Sequence, residues 1–334
     1  MSTRDTERPT DESVDAGTIV EGDGGRAPEP DEVVEAHSGG VDAEISALAG
    51  TPAAAPRSGG KRSKGKGILF WAALAWLLVV VFCAVTATIL PIDDPNEIDI
   101  TNKVANPGEA GYVLGADGLG RDILSRLIYG ARVSLTISVV AVTIGMIVGG
   151  TLGMTVGYFR GWLETIIMAL VDVLLAFPGL VLLLFLVAVR GQSLPTITIV
   201  IGFLSIPVYT RVARATTLAV AQREFVLAAR AMGATHRRII FREIMPNVVL
   251  PVAAFGLVAL GIIIVLEGTL AFLNLSVQPP DATWGSMIAE GKRHLQDTVH
   301  IALMPSLAMF LTVLSLNFVG DTLRGRFDVR ESNI

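Results

Sequence analysis

Charge is scarce in this sequence. Asp, Glu, Lys and Arg make up 17% of its 334 residues, where a soluble domain carries about a quarter. With 51% of positions hydrophobic, that shortage excludes an ordinary water-soluble globule. Cysteine is nearly missing too. Cys83 stands alone, so no internal disulfide braces the chain, and its place in an apolar run reads as a small packing residue. The four histidines, His37, His236, His294 and His300, lie at no metal-ligand spacing. No serine or cysteine sits in a nucleophile motif, and no two carboxylates are paired at a working spacing. The sequence offers no catalytic residue and no metal site.

What it has instead is long uncharged runs, over 68–90, 134–158, 173–189, 194–209, 248–266 and 301–319. Most approach the roughly 20 residues that a helix needs to cross a hydrocarbon core of about 30 Å. The expected fold class is all-α integral membrane with about six transmembrane helices. The run over 194–209 is the weakest, being short and carrying Pro195 and Pro207. The runs do not alternate polar and apolar residues, which excludes a β-barrel. Packing six such helices in a soluble core would need more interior than a chain of this size provides. The first run starts too late to be a cleaved leader and is long enough to remain as an anchor.

Residues 1–66 form a separate stretch. The first 60 hold 13 acidic and 4 basic residues. Their net charge of −9 leaves +4 on the rest of a chain whose total is −5, and such a composition predicts a disordered acidic tail. Lys61, Arg62, Lys64 and Lys66 then precede the first span, expected over 67–91. Basic residues beside a span stay on the cytoplasmic side, so the N-terminus is expected inside. Six spans return the C-terminal tail, 321–334, to the same side. Residues 92–132 fall outside, with Asp93, Asp94, Glu97 and Asp99 at their start and Arg121, Arg126 and Arg132 at their end. The arginine stretch is expected as an amphipathic helix near the outer interface. Residues 133–320 hold the remaining five spans and one long cytoplasmic loop.

A run from Gly60 to Gly67 nearly matches the phosphate-binding pattern G-x-x-x-x-G-K-[ST]. It fails because Gly67 stands where a hydroxyl must hold magnesium, and no strand precedes it. Nothing else in the chain suggests nucleotide binding, so ATP-driven work would have to come from another chain.

The cytoplasmic loop, 210–247, carries Arg211, Arg214, Arg223, Arg230, Arg237, Arg238 and Arg242 against Glu224 and Glu243. The good helix formers of 210–232 predict one helix, ended by Gly233 at positive φ. Thr235 would cap a second helix that stops at Pro246. Small residues at the turn suit insertion into a groove on a partner.

Here the sequence resembles a known family. Ala228-Ala229-x-x-x-Gly233, then nine residues, then Glu243-Ile244-Met245-Pro246 is similar to the EAA loop of bacterial ABC-transporter permeases. It departs from that loop in having Leu227 where a Glu is usual, with Glu224 one turn earlier, and Met245 where a Leu is usual. Leu114–Asp122, Ser125–Arg132, Asp172–Pro178, Val277–Pro280 with Trp284-Gly285, and Asn317–Arg324 resemble, in order, the dipeptide/oligopeptide/nickel permease family, in its second, C-type member. The resemblance implies a type I importer permease fold in a bacterial plasma membrane. It also implies a heterodimer with a similar permease, two ATPase subunits carrying ATP and magnesium, and an extracytoplasmic solute-binding protein. No cofactor on this chain and no nucleic acid are implied. Glu224, Leu227, Ala228, Ala229, Gly233, Ala234, Arg238 and Pro246 would form the ATPase-coupling loop.

Two carboxylates fall within the spans. Asp172 and Glu267 are candidates for the translocation pathway, since intramembrane charges usually face a cavity or a partner; Arg160 is a candidate partner for Asp172. Gln278, Trp284 and Glu290 lie in an outer loop and are candidates for contact with the binding protein, with Trp284 packed at the interface as the plainer reading. Peptides are the expected solute, and nickel, glutathione and haem stay open. A stand-alone secondary transporter or channel is the alternative. It predicts internal repeats, and none is evident.

Overall fold

The computed structural model describes residues 65–331. The acidic tail and most of the basic run expected before the first span lie outside them. The described residues form helices joined by turns, with one isolated bridge between Ala116 and Asp122 and no strand.

Helix α1 is Gly65–Thr86 and α2 is Ile123–Phe159. Two shorter helices follow, α3 at Trp162–Ala176 and α4 at Gly179–Arg190. Helix α5 is Leu194–Ala221, α6 is Glu224–Ala231 and α7 is His236–Phe272. Helix α8, Trp284–Gly291, and α9, His300–Glu331, complete the set. Five of these are long and apolar enough to cross a membrane.

The expected span over 173–189 is not one straight helix. It is split between α3 and α4, which meet at 83°. Pro178 explains the break: the residue before a proline is driven out of the helical region, and Phe177 is extended at φ −76°, ψ 137°. The weak run over 194–209 belongs to a 28-residue helix that keeps Pro207 in its interior, as spanning helices can where neighbours satisfy the freed carbonyl.

Helices α2 and α5 pack most closely, and glycine is the reason. Gly145, Gly149, Gly153 and Gly157 recur every fourth residue, which puts them on one face of α2. A β-carbon on Gly149 would lie 2.5 Å from the Ile206 carbonyl oxygen, and one on Gly145 would lie 2.6 Å from the Tyr209 ring. At Gly157 it would lie 2.9 Å from Thr217 Cβ. Only hydrogen fits at these points, and small residues are what let spanning helices approach closely. Around this seam α7 packs against α9, and α1 against α9 and α2.

Gly150 provides the contrast, since a β-carbon there meets nothing within 4 Å. Gly149→Ala should destabilise the detergent-solubilised protein by about 1–3 kcal/mol through overpacking against backbone. Gly150→Ala should be neutral or gain up to about 1 kcal/mol from helix propensity. Equal thermal unfolding midpoints for the two variants would contradict the close α2–α5 seam.

Candidate functional site

The chemistry gathers at the two ends of the bundle. At one end stands the arginine-rich loop. The single helix expected over 210–232 is broken: α5 stops at Ala221, Arg223 is extended at φ −69°, ψ 148°, and α6 starts at Glu224. Burial explains why helix propensity loses here. The break lets α6 turn Val226 and Ala229 into the core, at 0% and 7% exposed. Glu224, Leu227 and Ala228 stay on the outer face.

Gly233 ends α6 as expected, at φ +78°. Its N–H donates to the Arg230 carbonyl, and the half-buried Ala234 donates to the Ala229 carbonyl, each at 3.0 Å, the paired closure that favours glycine at this position. Thr235 then caps α7 through the Arg238 N–H. This helix does not stop at Pro246. It widens into a π-helical turn over Ile239–Ile244 and runs on to Phe272. The wide turn sits directly before Pro246, which has no N–H to return to the Arg242 carbonyl.

The loop is pinned to the end of α2. Tyr158 Oη and His236 Nδ1 are 2.8 Å apart, and the Arg230 guanidinium lies 5.7 Å from the Tyr158 ring centre. Arg237, Arg238, Arg242 and Pro246 are exposed, as are Phe225, Leu227, Met232 and Phe241. Arg214 donates to Glu164 at 2.7 Å, tying α5 to α3. Asp172 pairs with Arg211 at 2.6 Å rather than with the expected Arg160, and both partners are about half exposed. Arg160 instead forms the turn after α2, at φ +51°.

At the opposite end the expected amphipathic helix over 121–132 is absent as such. Helix α2 starts at Ile123 and is continuous, and Arg121 and Arg126 are 6% and 3% exposed. Arg121 binds Asp117 at 2.7 Å and Glu290 at 2.7 Å. Arg126 reaches the same carboxylates at 3.3 and 3.6 Å. Two cations and two anions satisfy one another. Asp122 caps α2 through the Leu124 and Ser125 amides, while burial pushes its carboxyl above the usual range. In the loop before it, the Asn102 side chain and the Thr101 amide hold Asp99 below that range. This charge cluster is the feature that sequence reasoning missed. Its signal, Asp117 four residues before Arg121, does not reveal a partner 169 positions away.

Glu267 is fully buried near the end of α7, and the Ser276 hydroxyl donates to its carboxylate. This chain's own residues enclose it. Trp284 is 1% exposed, with its indole N–H bonded to the Leu127 carbonyl at 2.9 Å. It therefore anchors the start of α8 to α2 and is not itself exposed for contact. Gln278 is exposed and donates to Gln192, and Glu290 belongs to the charge cluster. Between the cluster and the end of α7 lies a cavity of about 930 Å³. Among the described residues no group of His, Cys, Asp or Glu is placed to hold a metal ion.

Residues 145–333 match the family described as binding-protein-dependent transport system inner membrane component. The chain is 38% identical over 257 residues to the glutathione transport system permease protein GsiD of Pectobacterium atrosepticum, covering 77% of this chain and 85% of that one. It is 38% identical over 268 residues to the protein of that name in Escherichia coli O6:K15:H31, covering 80% and 88%. The fold resembles an inward-facing structure of the MetNI methionine ABC transporter, with a TM-score of 0.50 at 16% identity over 61% of this chain and 97% of that one. These define a class: the helical, non-catalytic permease component of an ATP-binding-cassette importer. The chain belongs to the binding-protein-dependent transport system inner membrane component family, in its bacterial dipeptide/oligopeptide/nickel branch. It is a multi-pass inner-membrane protein, and membership implies a second permease, a binding protein and ATPases that consume the ATP.

Removing one member of the buried charge cluster leaves its partners uncompensated. Glu290→Ala should lower stability by about 3 kcal/mol, far more than Asp281→Ala at an exposed position nearby. Matching thermal midpoints for the two variants would show that the cluster carries no stability.

Proposed function

We propose that this chain is the second permease of a heterodimeric importer for short peptides, including tripeptides of the glutathione kind. In this reading the loop over 210–247 faces the cytoplasm and docks on an ATPase subunit, and both chain termini lie on that side. The observation that carries it is the loop's geometry. An exposed glycine turn, flanked by Leu227, Ala228, Arg238 and Met232 on the outer face, is pinned through Tyr158 and His236 to a spanning helix. A projecting element of apolar and cationic side chains on a rigid mount suits a groove on a partner. Arginines concentrated at this end agree with a cytoplasmic placement.

The glutathione permeases among the relatives and the family branch both support a peptide solute. Asp172 and Arg211, half exposed on α3 and α5, belong to the proposed pathway wall or to the contact with the second permease. Buried Glu267 would act there through its neighbours. Gln278 is the exposed member of the proposed binding-protein surface, and Trp284 and Glu290 support it from within.

Gly233 gives the decisive test. A β-carbon there meets nothing within 4 Å inside this chain, but φ +78° strains a side chain of ordinary handedness, so an asparagine variant is needed to separate strain in the turn from a clash with the partner. Gly233→Trp should leave membrane insertion intact and cut peptide uptake by the assembled transporter at least about tenfold, while ATP hydrolysis no longer responds to loaded binding protein. Gly233→Asn, which tolerates positive φ, should retain most uptake. Unchanged uptake by the tryptophan variant would overturn the docking role. In a Cys83→Ser background, a thiol at position 233 should resist labelling from outside intact cells; ready labelling would reverse the orientation.

A further inference from the structure

The cavity at the end opposite Gly233 has a wall chemistry that the transport reading does not by itself account for. Its floor is the charge cluster, where Arg121 and Arg126 are saturated by Asp117 and Glu290. That floor is close to neutral. It fixes Glu290, and therefore the short helical turn Lys292–His294 that follows α8. Lys292 and Arg293 both line the cavity and both are exposed. Lys292 is held over the Phe272 ring with its ammonium 4.3 Å from the centre. Neither forms an ion pair among the described residues. The one exposed carboxylate in the lining is Asp281, so the rim carries two cations against one anion.

The rest of the polar wall is carboxamide. Gln192, Asn274 and Gln278 face the same space, and Gln278 already donates to Gln192 across it. A carboxamide gives and accepts hydrogen bonds in the pattern of a peptide group. A cation pair beside three carboxamides is a match for a peptide backbone ending in a carboxylate. The volume of about 930 Å³ lies near the top of the usual range for small-molecule sites, about 300–1,000 Å³, and is ample for a tripeptide.

We propose that this cavity is a solute subsite in which Lys292 and Arg293 hold the C-terminal carboxylate of a short peptide while the carboxamides meet its backbone. The proposal rests on the peptide reading above and adds a selection for the free acid. The positions are in a permease, so the selection acts in addition to that of the binding protein.

The test uses the complete transporter without binding protein, carrying Cys83→Ser and Leu119→Cys, an exposed lining position that the proposal does not use, and follows maleimide labelling of the new thiol. Ala-Ala-Ala should slow labelling about fivefold. Its C-terminal amide and inorganic phosphate should each slow it less than about twofold. In the same protein with Lys292→Gln and Arg293→Gln, the acid should protect no better than the amide. Equal protection by acid and amide, protection by phosphate alone, survival of the acid's advantage in the double variant, or no protection by any probe would each overturn the subsite. Uptake of Ala-Ala-Ala with binding protein present, measured separately on the unaltered transporter, reports on the peptide reading itself. Uptake without protection sinks only the subsite, whereas absence of uptake sinks the peptide assignment.

Discussion

The close approach of α2 and α5 is the constraint on which the rest of the structure depends. In hydrocarbon there is no hydrophobic force between helices, and association relies on packing and hydrogen bonds. Four glycines on one face of α2 let the backbone of α5 come within van der Waals reach. Hydroxyls of Thr210 and Ser205 on α5 are satisfied by their own helix, whereas those of Tyr209 and Thr217 are buried at the seam without a partner among the described residues, so packing rather than polar bonding holds the two helices together. With these two helices locked, Arg214 is placed to meet Glu164 and Arg211 to meet Asp172, which positions the bent pair α3–α4. The break at Pro178 therefore has a fixed setting at its α3 side, and the exposed apolar face of α4, with Val181, Phe185 and Val189, is presented outward.

Length and periodic apolarity made the membrane class legible, because a helix that must cross lipid announces itself in composition. The turn at Gly233 and the cap at Thr235 were legible for a local reason: both are decided by bonds to residues within five positions. What sequence misjudged was decided by distant partners. Helix formers across 210–232 gave no warning of the break at Arg223, since burial of Val226 and Ala229 against other helices sets it. Arg121 and Arg126 read as interfacial because isolated arginines belong at an interface. Their burial depends on Glu290, far along the chain. Trp284 reads as a packed interface aromatic or as a partner contact, and what fixes it is its N–H on the distant Leu127 carbonyl. Pro246 reads as a stop, and only the widened turn before it shows how a helix continues through.

Two helices join the ends of the molecule. Each of α2 and α7 has 37 residues, about 55 Å at 1.5 Å per residue, well beyond a hydrocarbon core of about 30 Å. Helix α2 begins at the Asp122 cap beside the charge cluster and ends at Phe159, next to His236. Helix α7 begins at His236 and ends at Phe272, on the cavity wall. The arginine-rich loop and the cavity are thus opposite ends of the same pair of rods. The backbone of single helices connects the two ends.

Each rod also carries one wide turn, at Gly145–Gly149 in α2 and at Ile239–Ile244 in α7. Such turns are weaker points in a helix and often occur at functional sites. Their placement differs. The turn in α2 lies mid-helix against Tyr209 and Ile206, inside the tightest seam, where neighbours hold it. The turn in α7 lies next to the loop, with Phe241 and Arg242 exposed on it. Bending at the second costs fewer contacts than bending at the first. The wide turn of α7 is therefore less tightly held than that of α2. The pin between Tyr158 and His236 links the loop to α2 without passing through the wide turn of α7.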